Sequence, residues 1–259
     1  MLLKPDNYHG LKANKEFWSV SQFKTFKDCE ARGLAEVQGD YKRPTTEALL
    51  MGSYIDAYFA GVGSLALFSH NHPEIFNSRT GALKAQYQRV EKAIERAERD
   101  SLFMKYISGE KQKIMTGELF GEQWKIMVDF FHKDEMIVDL KFMRDMNKVY
   151  KDGEYKPFID AWGYDIQGFV YQQIVKAVTG KELPFYLAVI TKEEFPDIDI
   201  IHIPDWRLKS AGEMIKHYIA KFGPIKRGEV EPERCEKCNY CKDTKVLTEV
   251  TEYDDLLEE

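Results

Sequence analysis

No stretch of this chain is apolar for long enough to span a bilayer, and its start, Met1-Leu-Leu-Lys-Pro-Asp6, lacks the hydrophobic core of a secretion signal. A cytoplasmic protein with no membrane partner is expected. Repeats and low-complexity linkers are also missing, so nothing in the sequence demands two folding units. With 259 residues, 44% of them hydrophobic and 13% aromatic, the chain can bury one large core. We read residues 1–259 as a single domain, with its core at about 45–225 and a cysteine-bearing tail at 228–259. There is no excess of positive charge: the formal net charge of −6 argues against a uniformly basic surface, though not against a local basic channel. Cysteine is scarce, with only Cys29, Cys235, Cys238 and Cys241.

The most informative segment is a pair of runs rich in β-branched and aromatic residues, Gln123–His132 and Met136–Phe142, separated by the polar Lys133-Asp134-Glu135. They read as a β-hairpin. Side chains alternate between the faces of a strand. A three-residue loop therefore sets Asp129 opposite Asp139 with Lys141 on the same face, whereas a two-residue turn would separate the two acids. The same-face register is expected. Like charges opposite one another destabilise a sheet unless something positive lies between them, so such a pair invites a divalent cation.

Two helical segments accompany the hairpin. The stretch from Thr45 to Ala60 follows Pro44, opens with Thr45-Thr46-Glu47 as a cap, and carries Gly52 and Asp56 on one face, one turn apart. A glycine there admits another backbone or strand, and the acid can point at what approaches. From Ile159 to Val178 the apolar residues Ile159, Trp162, Ile166, Phe169, Val170, Ile174 and Ala177 keep helical spacing. Gln167 and Tyr171 lie beside that stripe, and on periodicity alone they are a boundary pair.

Taken in order, Gly52-x-x-x-Asp56, Asp129, Asp139-x-Lys141 and Gln167-x-x-x-Tyr171 resemble the motif series of the PD-(D/E)xK nucleases. The match is closest to the branch of lambda exonuclease, the RecB nuclease domain and the RecE-type exodeoxyribonucleases of phages and prophages. It spans roughly Ser19 to Cys241, and Ser19-x-Ser21 with Cys29 about two turns on also looks like the N-terminal motif of these enzymes. The resemblance implies an α/β fold with a restriction-endonuclease-like core, a central mixed sheet flanked by helices, and accessory N- and C-terminal helices. It also implies that Asp56, Asp129 and Asp139 hold Mg²⁺ or Mn²⁺. Asp56 stands where many RecB relatives carry His, a harder oxygen ligand that suits these ions. Asp129, Asp139 and Lys141 would be catalytic, with Lys141 orienting or deprotonating the attacking water, its ammonium form disfavoured by the neighbouring cation. Gln167 and Tyr171 would bind substrate, hydrogen-bonding the phosphate backbone or stacking on a terminal base.

The implied activity is metal-dependent hydrolysis of DNA phosphodiester bonds from ends, in phage or prophage recombination or repair. A single-strand-annealing protein and a homo-oligomer are further expected partners. The alternative is a DNA-binding or scaffold module of a recombination complex that keeps the fold but not the chemistry. Lys24, Lys27, Arg79, Lys84 and Arg89 are candidates for a basic channel, although solvated helix faces explain most of them equally well.

The remaining organisation is coarser. A helix begins at Ser19 or Ser21, a charged and exposed helix runs from Asn77 to Asp100, and a first strand covers Lys111–Phe120. Strands follow near Phe185–Thr191 and Ile198–Ile203, and a final helix covers Trp206–Phe222. The segment Met143–Phe158 lacks periodicity and reads as a loop, either substrate-covering or an ordinary surface excursion. Cys235-x-x-Cys238-x-x-Cys241 is tight enough to wrap an ion or cluster but not to form several unstrained disulfides. One cysteine far upstream and three near the end resemble the iron-sulfur staple of AddB-type and CRISPR-adaptation nucleases, which have a longer gap before the last cysteine. An iron-sulfur cluster, zinc and unligated thiols all stay open for Cys29, Cys235, Cys238 and Cys241. If they do meet, they clasp the tail to the first helix.

Overall fold

The computed structural model describes residues 1–248, 250, 252 and 253. The chain opens with three short helices, α1 (Leu11–Glu16), α2 (Val20–Asp28) and α3 (Glu30–Gln38), followed by α4 (Glu47–Ala60), α5 (Val62–Asn71), α6 (Ala85–Glu98) and α7 (Ser101–Tyr106). Three long strands come next: β1 (Glu110–Leu119), β2 (Glu122–His132) and β3 (Met136–Met143). A small hairpin, β4 (Val149–Lys151) and β5 (Glu154–Lys156), leads into α8 (Phe158–Trp162) and α9 (Tyr164–Thr179). The chain then adds β6 (Phe185–Thr191), β7 (Ile198–Ile203), α10 (Asp205–Lys226) and α11 (Asn239–Asp243).

The sheet has the order β1-β2-β3-β6-β7, in which β3 and β6 are parallel and the other neighbours antiparallel. It is the expected mixed sheet flanked by helices. Because both faces are covered, β3 and β6 are almost continuously apolar, and two cores form. On one face Val20, Phe23 and Phe26 of α2, the apolar stripe of α9, and Leu208, Ile215 and Phe222 of α10 pack on Trp124, Ile126, Val128 and Leu187. On the other, Tyr54, Ile55 and Phe59 of α4, Val90 and Ile94 of α6, and Phe103 of α7 pack on Phe130, Val138, Leu140 and Ala188. The core thus begins well before residue 45, because α2 contributes three of its aromatic and aliphatic anchors. No helix among the described residues is long and apolar enough to cross a membrane.

Several expectations are revised. The helix expected from Asn77 starts only at Ala85, after a turn in which the Asn77 side chain accepts from the amides of Arg79 and Thr80. It is also not freely exposed, since Tyr87, Val90, Ala93, Ile94 and Ala97 are buried. The single helix expected over Ile159–Val178 is two, because Gly163 adopts φ 62°, a left-handed conformation that ends α8. The supposed loop Met143–Phe158 contains the β4–β5 hairpin, turned at Asp152 and Gly153, both with positive φ. Finally, α10 runs past Phe222 to Lys226, with Pro224 inside its last turn.

Candidate active site

The site lies where β2 and β3 part. The two strands pair at only three positions, His132↔Met136, Phe131↔Ile137 and Phe130↔Val138, after the three-residue loop expected from the sequence. The next position in that register would set Asp129 opposite Asp139, but there the ladder stops. In place of a backbone rung, Asp129 Oδ2 accepts the Leu140 amide at 2.9 Å, and its Oδ1 accepts Gln112 Nε2 at 3.2 Å. Beyond the fork, the freed edge of β2 is taken up by Trp18, whose amide donates to Gln123 O (2.7 Å) and whose carbonyl accepts from Lys125 N (2.8 Å).

The fork opens into a concave pocket of about 540 Å³. Asp56 enters it from α4, Asp129 from β2, Asp139 and Lys141 from β3, and Gln167 and Tyr171 from α9, so the expected residues share one cavity. Asp139 is 2% exposed. Its Oδ1 accepts Gln167 Nε2 at 2.5 Å, and its Oδ2 lies against the Lys141 ammonium without an aligned hydrogen bond. Asp56 is open to the pocket, near Asp139 and Lys141 and with no hydrogen bond or ion pair among the described residues. Gly52, one turn earlier on α4, faces open space.

Crowding the acids together shapes their protonation. Removal from water, with Asp139 adding to it and Lys141 opposing it, pushes the Asp56 carboxyl up to about 7. The pocket stays wet at Asp56, which screens that effect. Burial, then Asp139 and Asp56, holds the Asp129 carboxyl well above the ordinary carboxylate range. For Lys141, burial alone would weaken the ammonium, but the carboxylates of Asp139 and Asp129 outweigh it and keep the group charged. Facing these carboxylates Lys141 is held as a cation, whereas the expectation of a weakened ammonium concerns a divalent ion bound beside it. A divalent ion among the acids would take over the charge that Lys141 now balances.

Three carboxylates with hard oxygen donors, two of them driven toward protonation by burial and, to a lesser degree, by one another, fit a Mg²⁺- or Mn²⁺-sized ion in their donor chemistry. Among the described residues, only the four cysteines bring three or more metal-ligand atoms within 4.8 Å of one another, so the acids do not form a closed shell.

Tyr171 is corrected. Its ring is buried against Phe185, and its hydroxyl donates to Met127 O at 3.0 Å, so no base can stack on it. The basic-channel candidates divide as well. Lys24 lines the pocket, while Lys27 lies over the Tyr218 ring, and Arg79, Lys84 and Arg89 are not among the lining residues. Burial, followed by the nearby Lys141, lowers Lys24 to about 7.

Several lining residues had no role in the sequence reading. Arg43 reaches Thr25 Oγ1 at 2.6 Å and Glu36 at 2.7 Å. Lys125 donates to Tyr8 O at 2.5 Å and Asn14 Oδ1 at 2.7 Å, tying the N-terminal segment to β2, and burial lowers it to about 8. Its position two and four residues before Met127 and Asp129 on β2 was a usable period-two signal; nothing local in sequence could have placed Tyr8 there.

The cysteines meet at a separate place. Cys29, at the junction of α2 and α3, lies 3.5 Å from Cys241 Sγ, and Cys235 Sγ is 3.9 Å from the same atom. All four sulfurs lie within 4.8 Å of one another. Burial pushes the Cys29 thiol up to about 12. Burial opposes ionisation of Cys235 too, but the amides of Lys237 and Cys238 outweigh it and bring that thiol down to about 6. The tail is also held by backbone, since Ala31 N donates to Glu233 O and Glu233 N to the Glu30 carboxylate.

Comparison with known proteins agrees with this architecture. No curated protein matches the chain. A crystal structure of a protein from Eubacterium rectale, described as a "putative exonuclease", is 45% identical, covers 99% of this chain and 98% of its own, and superposes with a TM-score of 0.94. Residues 19–244 match the family described as "PDDEXK-like domain of unknown function (DUF3799)". That span runs from the cap of α2, through the forked strands and the split helix, past the last cysteines, and the chain belongs to this PDDEXK-like domain family.

Proposed function

We propose that the chain is a metal-dependent exodeoxyribonuclease of the lambda-exonuclease and RecE-type kind, acting in phage or prophage recombination or repair. The observation that carries the reading is the convergence of Asp56, Asp129, Asp139, Lys141 and Gln167, from four elements of the sheet-and-helix core, in one pocket at the β2–β3 fork. Structural ion pairs do not need three acids around one lysine, with two of the acids pushed toward protonation.

In this reading Asp56, Asp129 and Asp139 would hold Mg²⁺ or Mn²⁺, which would supply Lewis-acid chemistry at the scissile phosphate. Gln167 fixes the orientation of the Asp139 carboxylate through its amide. Lys141, charged and next to Asp139, offsets the negative charge that grows on the phosphate in the transition state and orients the attacking water. Lys24 and Arg43 on the pocket wall suit the phosphates of the bound strand, contacts that carry no sequence information. A scaffold without chemistry has no need for acids that repel one another.

The cysteine site is a structural centre in this account, remote from hydrolysis. Four thiolates at 2.3 Å around one tetrahedral ion lie about 3.8 Å apart; two of the sulfur pairs, at 3.5 and 3.9 Å, match that spacing and all four lie within 4.8 Å, which suits a single zinc-like ion. An iron-sulfur cluster would need the sulfurs to spread further.

Incubation with end-labelled linear DNA and with covalently closed circular DNA, in Mg²⁺ and in chelator, tests the function. Loss of linear DNA alone, and only with the metal, is expected. Linearisation of the closed circles would replace the exonuclease reading with an endonuclease, and survival of both substrates would return the chain to a binding module.

A further inference from the structure

The apolar spacing over residues 159–178 puts Trp162 in a buried stripe, yet the residue is 48% exposed. The cause is local. Gly163 ends α8 in a left-handed conformation, and the helix restarts at Tyr164, so the stripe continued by Ile166, Val170 and Ile174 no longer includes Trp162. A large aromatic side chain left in water near a site offers its face to a ligand.

Three contacts link the segment around Trp162 to the pocket wall. Lys24, a lining residue, donates from Nζ to the Trp162 carbonyl at 2.7 Å. The Lys151 ammonium, fixed on Ala161 O at 2.9 Å, lies 5.8 Å from the centre of the Trp162 ring. Tyr164, two residues on, has the ammonium groups of both Lys24 and Lys141 over its ring, at 5.5 and 5.2 Å. The Trp162 backbone therefore adjoins Lys24 at the pocket wall, and its exposed indole, itself outside the pocket lining, has the Lys151 ammonium beside it. An aromatic face interleaved with ammonium groups is the combination that holds a nucleobase by stacking and its phosphates by charge, whatever the base. The buried ring of Tyr171 leaves that stacking role open.

We propose that Trp162 is the base-stacking contact of the site, taking an unpaired nucleobase at the end of the strand whose phosphate enters the pocket, with Lys24 and Lys151 alongside. The proposal rests on the nuclease reading.

Its test uses the full chain with Ca²⁺ in place of Mg²⁺, which satisfies the carboxylates without the compact octahedral geometry suited to turnover. Binding of fluorescein-labelled single-stranded oligothymidylate is measured by anisotropy for wild type, Trp162→Ala and Trp162→Phe, each checked for fold by circular dichroism. Trp162→Ala should raise Kd roughly tenfold, within the range for loss of one base–aromatic stack, and Trp162→Phe should recover most of it. Replacing the terminal nucleotides with abasic residues should weaken wild type by a similar factor and leave Trp162→Ala unaffected, a pattern that a merely structural tryptophan would not produce. Equal Kd values in wild type and Trp162→Ala, or the same abasic penalty in both, would overturn the proposal. So would a change in sedimentation without a change in affinity, which would assign Trp162 to a contact between copies. Where wild type digests linear DNA and Trp162→Ala still binds like it, only this proposal falls; where wild type neither binds nor digests DNA, the nuclease reading falls with it.

Discussion

Asp129 shows how a functional side chain can stand against the fold that holds it. Its carboxyl is held well above the usual 3.8 by burial and by Asp139 and Asp56, so the folded protein keeps that proton more tightly than the unfolded chain does. The associated stability is present in full below the ordinary value and is lost as pH rises through the raised one. Metal-free protein should therefore lose stability from about pH 4 toward neutrality, and Asp56, raised to about 7, adds to the same trend. Asp129→Asn should then stabilise the metal-free protein at pH 8 by about 1 kcal/mol or more, the scale of one pKa unit, with the gain fading near pH 4. Urea melts in chelator at the two pH values measure it. Destabilisation at pH 8 would show that the hydrogen bond to the Leu140 amide outweighs the charge repulsion. Added Mg²⁺ should stabilise wild type more than the variant, since the ion binds the folded carboxylates.

At the scale of elements, the split between α8 and α9 does more for the site than either helix alone. It places Gln167 one turn into α9, its amide N–H on the Gly163 carbonyl, and turns Trp162 outward. A Cβ at Gly163 would sit 3.0 Å from Ile166 Cδ1 and 3.1 Å from Lys24 Cε, at a positive φ that side chains rarely adopt. Gly163→Ala should cost about 1–2 kcal/mol, a fall of roughly 2–6 °C in Tm, and an unchanged Tm would show that the break is imposed elsewhere. That break was illegible in sequence because the apolar spacing continues across it, and a glycine in such a run, where Gly168 stays helical, signals only a weak preference. By contrast, the Lys133-Asp134-Glu135 loop and the alternation around it were enough to read the β2–β3 register and the face shared by Asp129, Asp139 and Lys141. The early end of that ladder was not readable, since it depends on Trp18 occupying the freed edge of β2 from more than a hundred residues away. The β4–β5 hairpin was missed for a related reason: three-residue strands are too short to show a period.

Across the whole molecule, the cysteine clasp ties the last described helix to the first part of the chain, a closure of the kind that stabilises most when the loop it spans is long. The spacing of Cys235, Cys238 and Cys241 was readable in sequence; the approach of Cys29 is a property of the folded chain. Purified protein should contain close to one metal ion at the sulfurs by elemental analysis, and Cys238→Ser should lower Tm by roughly 5 °C or more while the folded fraction keeps most of its cleavage rate. Metal-free protein with unchanged Tm would leave the tail held by its backbone bonds to Glu30 and Ala31 alone. The central claim concerns the other site, and the most direct measurement is the rate of nucleotide release from end-labelled linear DNA by wild type and by folded Lys141→Ala, in Mg²⁺ and in chelator. The account predicts metal-dependent release by wild type and a loss of at least a hundredfold, on the order of a transition-state charge contact, in the variant. Wild-type release rates from Lys141→Ala would contradict it.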